Sequence, residues 1–368
     1  MHVGLATGFA NHARIPDDQF IREEFTQLIL ADELGFDSIW MTEHHFSDYS
    51  ISPNPLFYLA YLAGRTKRVR LGTQVVVVPW HDPVRLAEQI SLLDHVSRGR
   101  YILGVGRGLA RREFEGLRID QNEGRMRFDE YTQLVLDALE TGFMEGGATI
   151  KQPRREIRPR PFKSFAGRRF AAAASKDSVP SVAKLGLGLL IILQKPWDQV
   201  KADLDTYHQR WGEFHPGLAP PKPFCSGFCF VDESADRAAE LASRYLGANY
   251  RAALLHYEMF GKHFESTKGY ERYADMSRHL NSIGEDKAVQ DYIALMPWGT
   301  PQQVLEKFEK MKALTDMQGI MPNFYFGGMP YEENQRNLKC FVKHCLAELK
   351  SWPAASLDEP RELALAEV

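Results

Sequence analysis

Eight short apolar runs stand along the chain, separated by segments with a helical beat. The runs are Val3–Ala6, Ser38–Met41, Arg70–Val78, Tyr101–Val105, Arg169–Ala174, Leu187–Leu193, Phe224–Val231 and Gly319–Phe326. They are continuous rather than alternating, the pattern of parallel strands buried on both faces. Between them apolar residues return every three or four positions: Ile21, Phe25 and Leu28; Leu56, Leu59, Ala60 and Ala63; Leu86, Ile90 and Leu93. Asp82-Pro83 starts a helix well, because Asp caps and Pro suits the first helical position. Thr300-Pro301-Gln302-Gln303 reads as a capping box. Gly35, Gly99, Gly142, Gly186 and Gly319 stand where helices should stop.

Strand–helix alternation repeated eight times predicts a (β/α)8 TIM barrel with insertions at the C-terminal face of its strands. An open doubly wound sheet has the same alternation, and counting strands does not prove closure. Two stretches exceed simple connections. Residues 151–168 are rich in Arg and Pro and read as an irregular excursion. Residues 234–299 hold helical material and a polar segment with Gly269 and Gly284, and read as a lid. The barrel is thus expected over 1–349, with an acidic tail at 350–368 only partly docked.

Composition narrows the class. The chain has 368 residues and a net charge of −3, so nothing draws it toward nucleic acid or an acidic membrane. Its four cysteines, Cys225, Cys229, Cys340 and Cys345, lack zinc-ribbon or redox-pair spacing and read as buried thiols. No signal peptide precedes the first apolar run, and the most apolar stretch, Leu185–Leu193, is too short to span a bilayer. A cytoplasmic enzyme is the expectation.

In such a barrel chemistry belongs at the strand ends. After the second run comes Glu43-His44-His45-Phe46. After the third come Pro79-Trp80-His81, and after the fourth Gly104 to Leu109. After the fifth come Ser175-Lys176-Asp177-Ser178. Adjacent histidines in extended chain point to opposite sides, and neither H-x-x-x-H nor a carboxylate cluster completes a site, so no metal is expected. One histidine as a proton-transfer group and one as a loop tie are equal readings. The glycines at 104, 106 and 108 permit close backbone approach, and Arg107, Arg111 and Arg112 offer forks for a phosphate; an ordinary turn with solvated arginines reads the same way. Ser175 and Ser178 suit a phosphate or a simple helix cap.

Three segments carry a resemblance: GFDSIWMTEHHF at 35–46, LGTQVVVVPWHDPVRLAEQISLLDHVSRGRYILGVGRGL at 71–109, and GTPQQVLEKF at 299–308. With Thr267-Lys268-Gly269-Tyr270 in the lid, they make the chain similar to the luciferase-like flavin monooxygenases nearly to Leu349. The resemblance implies a barrel that binds reduced FMN. It implies that Arg107, Ser175 and Ser178 hold the phosphate and that a non-prolyl cis peptide joins Gln74 and Val75 beneath the ring. It makes His44 the catalytic histidine and places Glu43, Leu109 and Phe46 around the flavin or its substrate side. Phe46, Phe114 and Leu193 would line an apolar substrate pocket. Three positions depart from luciferase: Ala174 replaces an acidic residue, Gly106 a reactive cysteine and Leu193 a tryptophan, so light emission is not expected.

The activity implied is two-component monooxygenation. A separate NAD(P)H-dependent flavin reductase supplies reduced FMN. Dioxygen is activated as a flavin hydroperoxide, and one oxygen atom passes to a small, largely apolar organic substrate. A homodimer is the family expectation. The rivals are a deazaflavin-dependent oxidoreductase on the same barrel, which moves hydride without dioxygen, and a non-catalytic flavin-binding subunit.

Overall fold

The computed structural model describes residues 1–173 and 178–357. Eight parallel strands form the barrel: β1 His2–Thr7, β2 Ser38–Met41, β3 Arg70–Thr73, β4 Tyr101–Gly106, β5 Arg169–Ala172, β6 Gly188–Ile192, β7 Phe224–Phe228 and β8 Gly319–Asn323. Each pairs with the next in sequence, and β8 returns to β1 with Val3 opposite Ile320. The ring is therefore closed, and the open-sheet alternative falls.

An aromatic plug fills the interior. Phe224 meets Trp40 and Phe170 with ring centroids 5.3 and 5.1 Å away, joined by Ala6, Ile102, Leu190 and Met321. Glycines on the flanking strands make room, since a Cβ at Gly72 would lie 2.4 Å from the Trp40 ring. Leu357 packs on the same cluster, and the amino terminus hydrogen-bonds the carbonyls of Lys350 and Trp352, so the start of the tail is tied to the barrel.

The caps form as the sequence predicts at Asp82, which accepts from Arg85 N at 3.0 Å, and at Thr300, where the capping box closes in both directions. Gly319 is a correction. The preceding helix, Pro301–Thr315, ends at Asp316 in the left-handed region, and Gly319 opens β8. A Cβ there would meet the Phe224 ring at 2.4 Å, so that glycine serves packing.

The two long connections also gain detail. Gln152–Glu156 pairs antiparallel with Phe143–Gly146, so part of the first excursion is a hairpin. The second carries three helices, Ala235–His256, Glu271–Ile283 and Glu285–Leu295. Beneath the first excursion, Arg168 grips Asp94 with two bonds of 2.6 and 2.7 Å, a buried fork that anchors the entry to β5. Among the described residues no helix is long and apolar enough to cross a membrane.

β4 lies close against the chain that leaves β3. The Thr73 hydroxyl accepts from Gly104 N and donates to Gly104 O, and a Cβ at Gly104 would stand 1.9 Å from the Thr73 carbonyl oxygen. Gly104→Ala is expected to cost at least about 3 kcal/mol, because rigid backbone must move. Gly64→Ala is the control: beyond its chain neighbours and the backbone of its own helix nothing lies within 4 Å of the added Cβ on an exposed helical turn, and a gain of about 0.5–1 kcal/mol is expected. Urea unfolding of both variants checks the pair, and equal stabilities would remove the close-approach argument.

Candidate active site

One cleft opens at the carboxyl ends of the strands and encloses about 220 Å3. Glu43, His44, Gln74, Val75, Gly106, Arg107, Leu109, Ser178 and Leu193 all line it. Ser175 falls outside the described residues. Phe46 and Phe114 do not join the lining. Phe46 is 60% exposed and packs over Gly116, and Phe114 is buried behind Gly108 against Trp80, with ring centroids 5.7 Å apart.

The peptide between Gln74 and Val75 is cis, as the resemblance implies. Its Val75 side chain occupies the space beside Gly106, where a Cβ would come within 2.3 Å of Val75 Cγ2. A cysteine at 106 has no room beside this valine, which gives that departure a steric reason.

Arg107 is held by the lid. Its Nη1 donates to Gly269 O at 2.6 Å, its guanidinium lies 4.0 Å from the Tyr270 ring centroid, and the Tyr270 hydroxyl donates to Gly108 O. The Thr267–Tyr270 element thus sits directly on the arginine. Arg111 does something else: it makes two hydrogen bonds to Glu258, at 2.7 and 3.1 Å, and ties the lid to the segment after β4.

The two histidines face opposite ways, each with its own carboxylate. His45 turns toward Glu43, and His44 toward Glu113. The Glu43 side chain, 1% exposed, accepts from Val77 N at 2.6 Å and from His81 Nε2 at 2.7 Å, with His45 Nε2 at 3.5 Å. It braces the residues that follow the cis peptide. Burial would push it upward, but His81, His45 and the Val77 N–H together hold it below the usual carboxylate range.

Glu113 Oε1 takes His44 Nδ1 at 3.0 Å and His45 N at 2.7 Å, and His256 Nε2 stands 3.4 Å away. Tyr257 OH lies 3.4 Å from His44 Nε2, and Tyr49 stacks on His256 at 4.5 Å. Burial opposes the charge on Glu113; the charge and hydrogen bonds of His44 and His256 outweigh it and hold the carboxyl at about 2. Burial pushes the Tyr49 phenol up to about 12 and Tyr257 well above its usual value, so both remain hydroxyl donors.

The expectation that no carboxylate joins the histidines is corrected here. Ligand-capable atoms of His44, Glu113 and His256 fall within 4.8 Å of one another. Glu113, His256, Tyr257 and Tyr49 were missed in the sequence. Glu113 had a usable signal, since it stands in the first turn of the short helix Arg111–Gly116, just after Arg107–Leu109 at a strand end. His256 and Tyr257 had none, because only the fold of the lid brings them 209 or more positions back to residues 44–47.

The luciferase-like monooxygenase family model matches residues 1–317. The chain belongs to the luciferase-like monooxygenase family. It is 26% identical over 325 residues to an alkanal monooxygenase alpha chain of Photorhabdus luminescens, covering 87% of this chain and 90% of that one. Among solved structures, monooxygenase RslO1 of Streptomyces bottropensis superposes with a TM-score of 0.78 at 25% identity, covering 95% and 99% of the two chains. The oxygenating constituent of 3,6-diketocamphane monooxygenase of Pseudomonas putida, in complex with FMN, shares the fold with a TM-score of 0.74 at 17% identity, covering 96% and 99%.

The Glu43–His81 contact has a signed consequence. Burial lowers the His81 imidazole, but the Glu43 charge and hydrogen bond outweigh it and the net direction is upward. A raised folded value means that the pair's stability is full below about pH 6.5 and is lost as pH rises through the folded value. Glu43→Gln is expected to cost about 1–3 kcal/mol at pH 6 and to flatten that pH dependence. NMR titration of His81 with urea unfolding from pH 5.5 to 9 checks this; an unmoved His81 midpoint in the variant would contradict it.

Proposed function

We propose that this luciferase-like monooxygenase is the oxygenating component of a two-component FMN-dependent system, acting in the cytoplasm as a homodimer. Its cleft takes up reduced FMN, and one atom of dioxygen passes to a small, largely apolar organic molecule. One observation carries the reading: Arg107, Ser178 and His44, set on three different strand ends, line a single cleft together with the cis pair Gln74–Val75.

The residues fit both ends of that cofactor. Arg107, steadied by Gly269 and Tyr270, would meet the phosphate, with Ser178 at the start of a short helix beside it. Among the described residues Gln74 Oε1 is buried without a hydrogen-bond partner, an acceptor suited to a ring N–H.

When bound, reduced FMN supplies the electrons that activate dioxygen. The chain's own share is to exclude water and to manage a proton. Leu109, Leu190, Ile192 and Leu193 give the cleft a hydrocarbon wall. Glu113 fixes His44 through Nδ1, which leaves Nε2, the nitrogen near Tyr257, to hold or release a proton. A NAD(P)H-dependent flavin reductase supplies the cofactor in reduced form.

Arg107→Ala is expected to weaken reduced-FMN binding about 10- to 100-fold, the worth of a charged hydrogen bond. His44→Ala should bind reduced FMN normally and lose product formation by about 100-fold or more. Stopped-flow mixing with aerated buffer, an oxygen electrode and a screen of small carbonyl compounds and terpenes read both. Full turnover by His44→Ala would remove its role. Turnover with a reduced deazaflavin and no oxygen uptake would favour the hydride-transfer alternative, and binding without any turnover would favour a flavin-carrying subunit.

A face for a second copy lies on two neighbouring helices, Pro55–Arg65 and Pro83–Val96. Phe57, Tyr61, Leu92 and Val96 there are 73%, 44%, 53% and 49% exposed. Phe57→Arg with Leu92→Glu is expected to convert a dimer into a folded monomer by light scattering, and an unchanged dimer mass would place the interface elsewhere.

A further inference from the structure

A second chamber of about 510 Å3 lies beside the cleft, walled largely by the lid. The two share a partition. Gln194 and Tyr292 face both sides, and sequence neighbours divide between them: Leu193 and Lys195, Asn249 and Tyr250, Tyr273 and Arg272. The chamber's size falls within the range of small-molecule sites.

Its walls are mostly hydrocarbon. Met276, Leu280, Ile283 and Leu295 supply the helical side, and Tyr250 and Tyr292 stack 4.1 Å apart. Its charge is unbalanced at the partition. Lys195 and Arg272 both face one carboxylate oxygen, Asp203 Oδ2; Lys195 bonds it, and Arg272 Nη1 stands 3.6 Å away. The chamber's own acids are engaged by other bases, Asp275 by Arg278 and Asp291 by Lys287 at 2.6 Å. No hydrogen bond runs from the Arg272 guanidinium to any described residue, and its side chain is only 27% exposed. Burial and the Arg272 charge lower the Lys195 ammonium to about 7, and a second anion beside the two bases would restore its charged form. A planar fork without acceptors selects a carboxylate by geometry as well as charge.

We propose that this chamber binds an apolar-bodied organic carboxylate, its head on Arg272 and Lys195 and its body along Met276, Leu280 and Ile283. Its role rests on the cleft being the oxygenation site: the occupant is then the substrate, held one partition away and admitted past Gln194 and Tyr292. The substrate class is thereby narrowed from small apolar compounds to small apolar acids.

Titration calorimetry on the full chain with octanoate and octan-1-ol tests the binding, and reduced-FMN affinity is measured alongside. Octanoate is expected to bind at least tenfold more tightly than octan-1-ol. Arg272→Met should lose at least tenfold for octanoate and leave octan-1-ol unchanged, while Leu280→Trp, which fills the chamber, should weaken both at least fivefold. Should Arg272→Met fail to fold by circular dichroism, Arg272→Lys, which keeps the charge without the fork, is expected to show a partial loss. Neither arginine variant should alter reduced-FMN binding. Equal affinity for acid and alcohol, or octanoate binding untouched by the variants, overturns the proposal. A chain that binds octanoate as expected and never binds reduced FMN sinks the oxygenase reading and leaves the carboxylate site standing.

Discussion

Strand β4 can lie against the chain leaving β3 only because it presents no side chains there. Gly104 faces the Thr73 carbonyl, Gly106 faces Val75, and Gly108 faces Val77, Trp80 and Phe114. Alternate residues of a strand share a face, so Gly104 and Gly106 clear one side of β4, and Gly108, just past its end with φ 82°, continues the clearance in the turn. That clearance lets the two segments run side by side, and the rest of the site follows from it. It brings Arg107 into the cleft, and the short helix that follows, Arg111–Gly116, delivers Glu113 beside His44. The same glycines read in the sequence as a weak phosphate loop. Their steric work is against protein backbone and side chains, and whatever they offer a cofactor comes on top of it.

The lid completes what the barrel begins, through polar contacts rather than bulk. Gly269 and Tyr270 seat Arg107, Glu258 takes the fork of Arg111, and His256 and Tyr257 approach the Glu113–His44 pair. All three contacts converge on residues 107–113, a single short stretch. A displacement of the lid would therefore change the arginine and the histidine together. Under the roles proposed for Arg107 and His44, phosphate capture and proton handling would be coupled through this one stretch, although the residues come from separate strands.

The barrel was legible because its strands are buried on both faces, and burial writes itself into sequence as unbroken apolar runs. All eight runs became strands, and the caps at Asp82 and Thr300 formed where local chemistry predicted them. Gly319 misled because a glycine before a strand and a glycine after a helix look alike; only the Phe224 ring distinguishes them. Phe46 was placed in the pocket by analogy and Phe114 as an apolar residue near it, and the structure turns the first to solvent and the second behind Gly108. The lid residues at the site, His256 and Tyr257, stand on a long helix whose pattern gives no hint of a distant histidine. The resemblance supplied what periodicity could not: the cis peptide, and which of two adjacent histidines faces the cleft.

That last distinction has a physical basis beyond analogy. Glu43 and Glu113 are both buried, both ionised and both beside histidines, yet their surroundings differ in kind. Glu43 is bound to a backbone N–H at 2.6 Å and to His81, so its lone pairs are spent on fixed groups of the barrel. Glu113 shares one oxygen among His44, His45 N and His256, while its other oxygen, among the described residues, is buried without a partner. Each carboxylate takes one backbone N–H and faces two imidazoles, but only Glu113 keeps an oxygen free to accept as either ring changes protonation; both oxygens of Glu43 are already engaged. The pair of histidines therefore divides by its partners. His45 is anchored to a brace, and His44 is coupled to a carboxylate that still has capacity to respond.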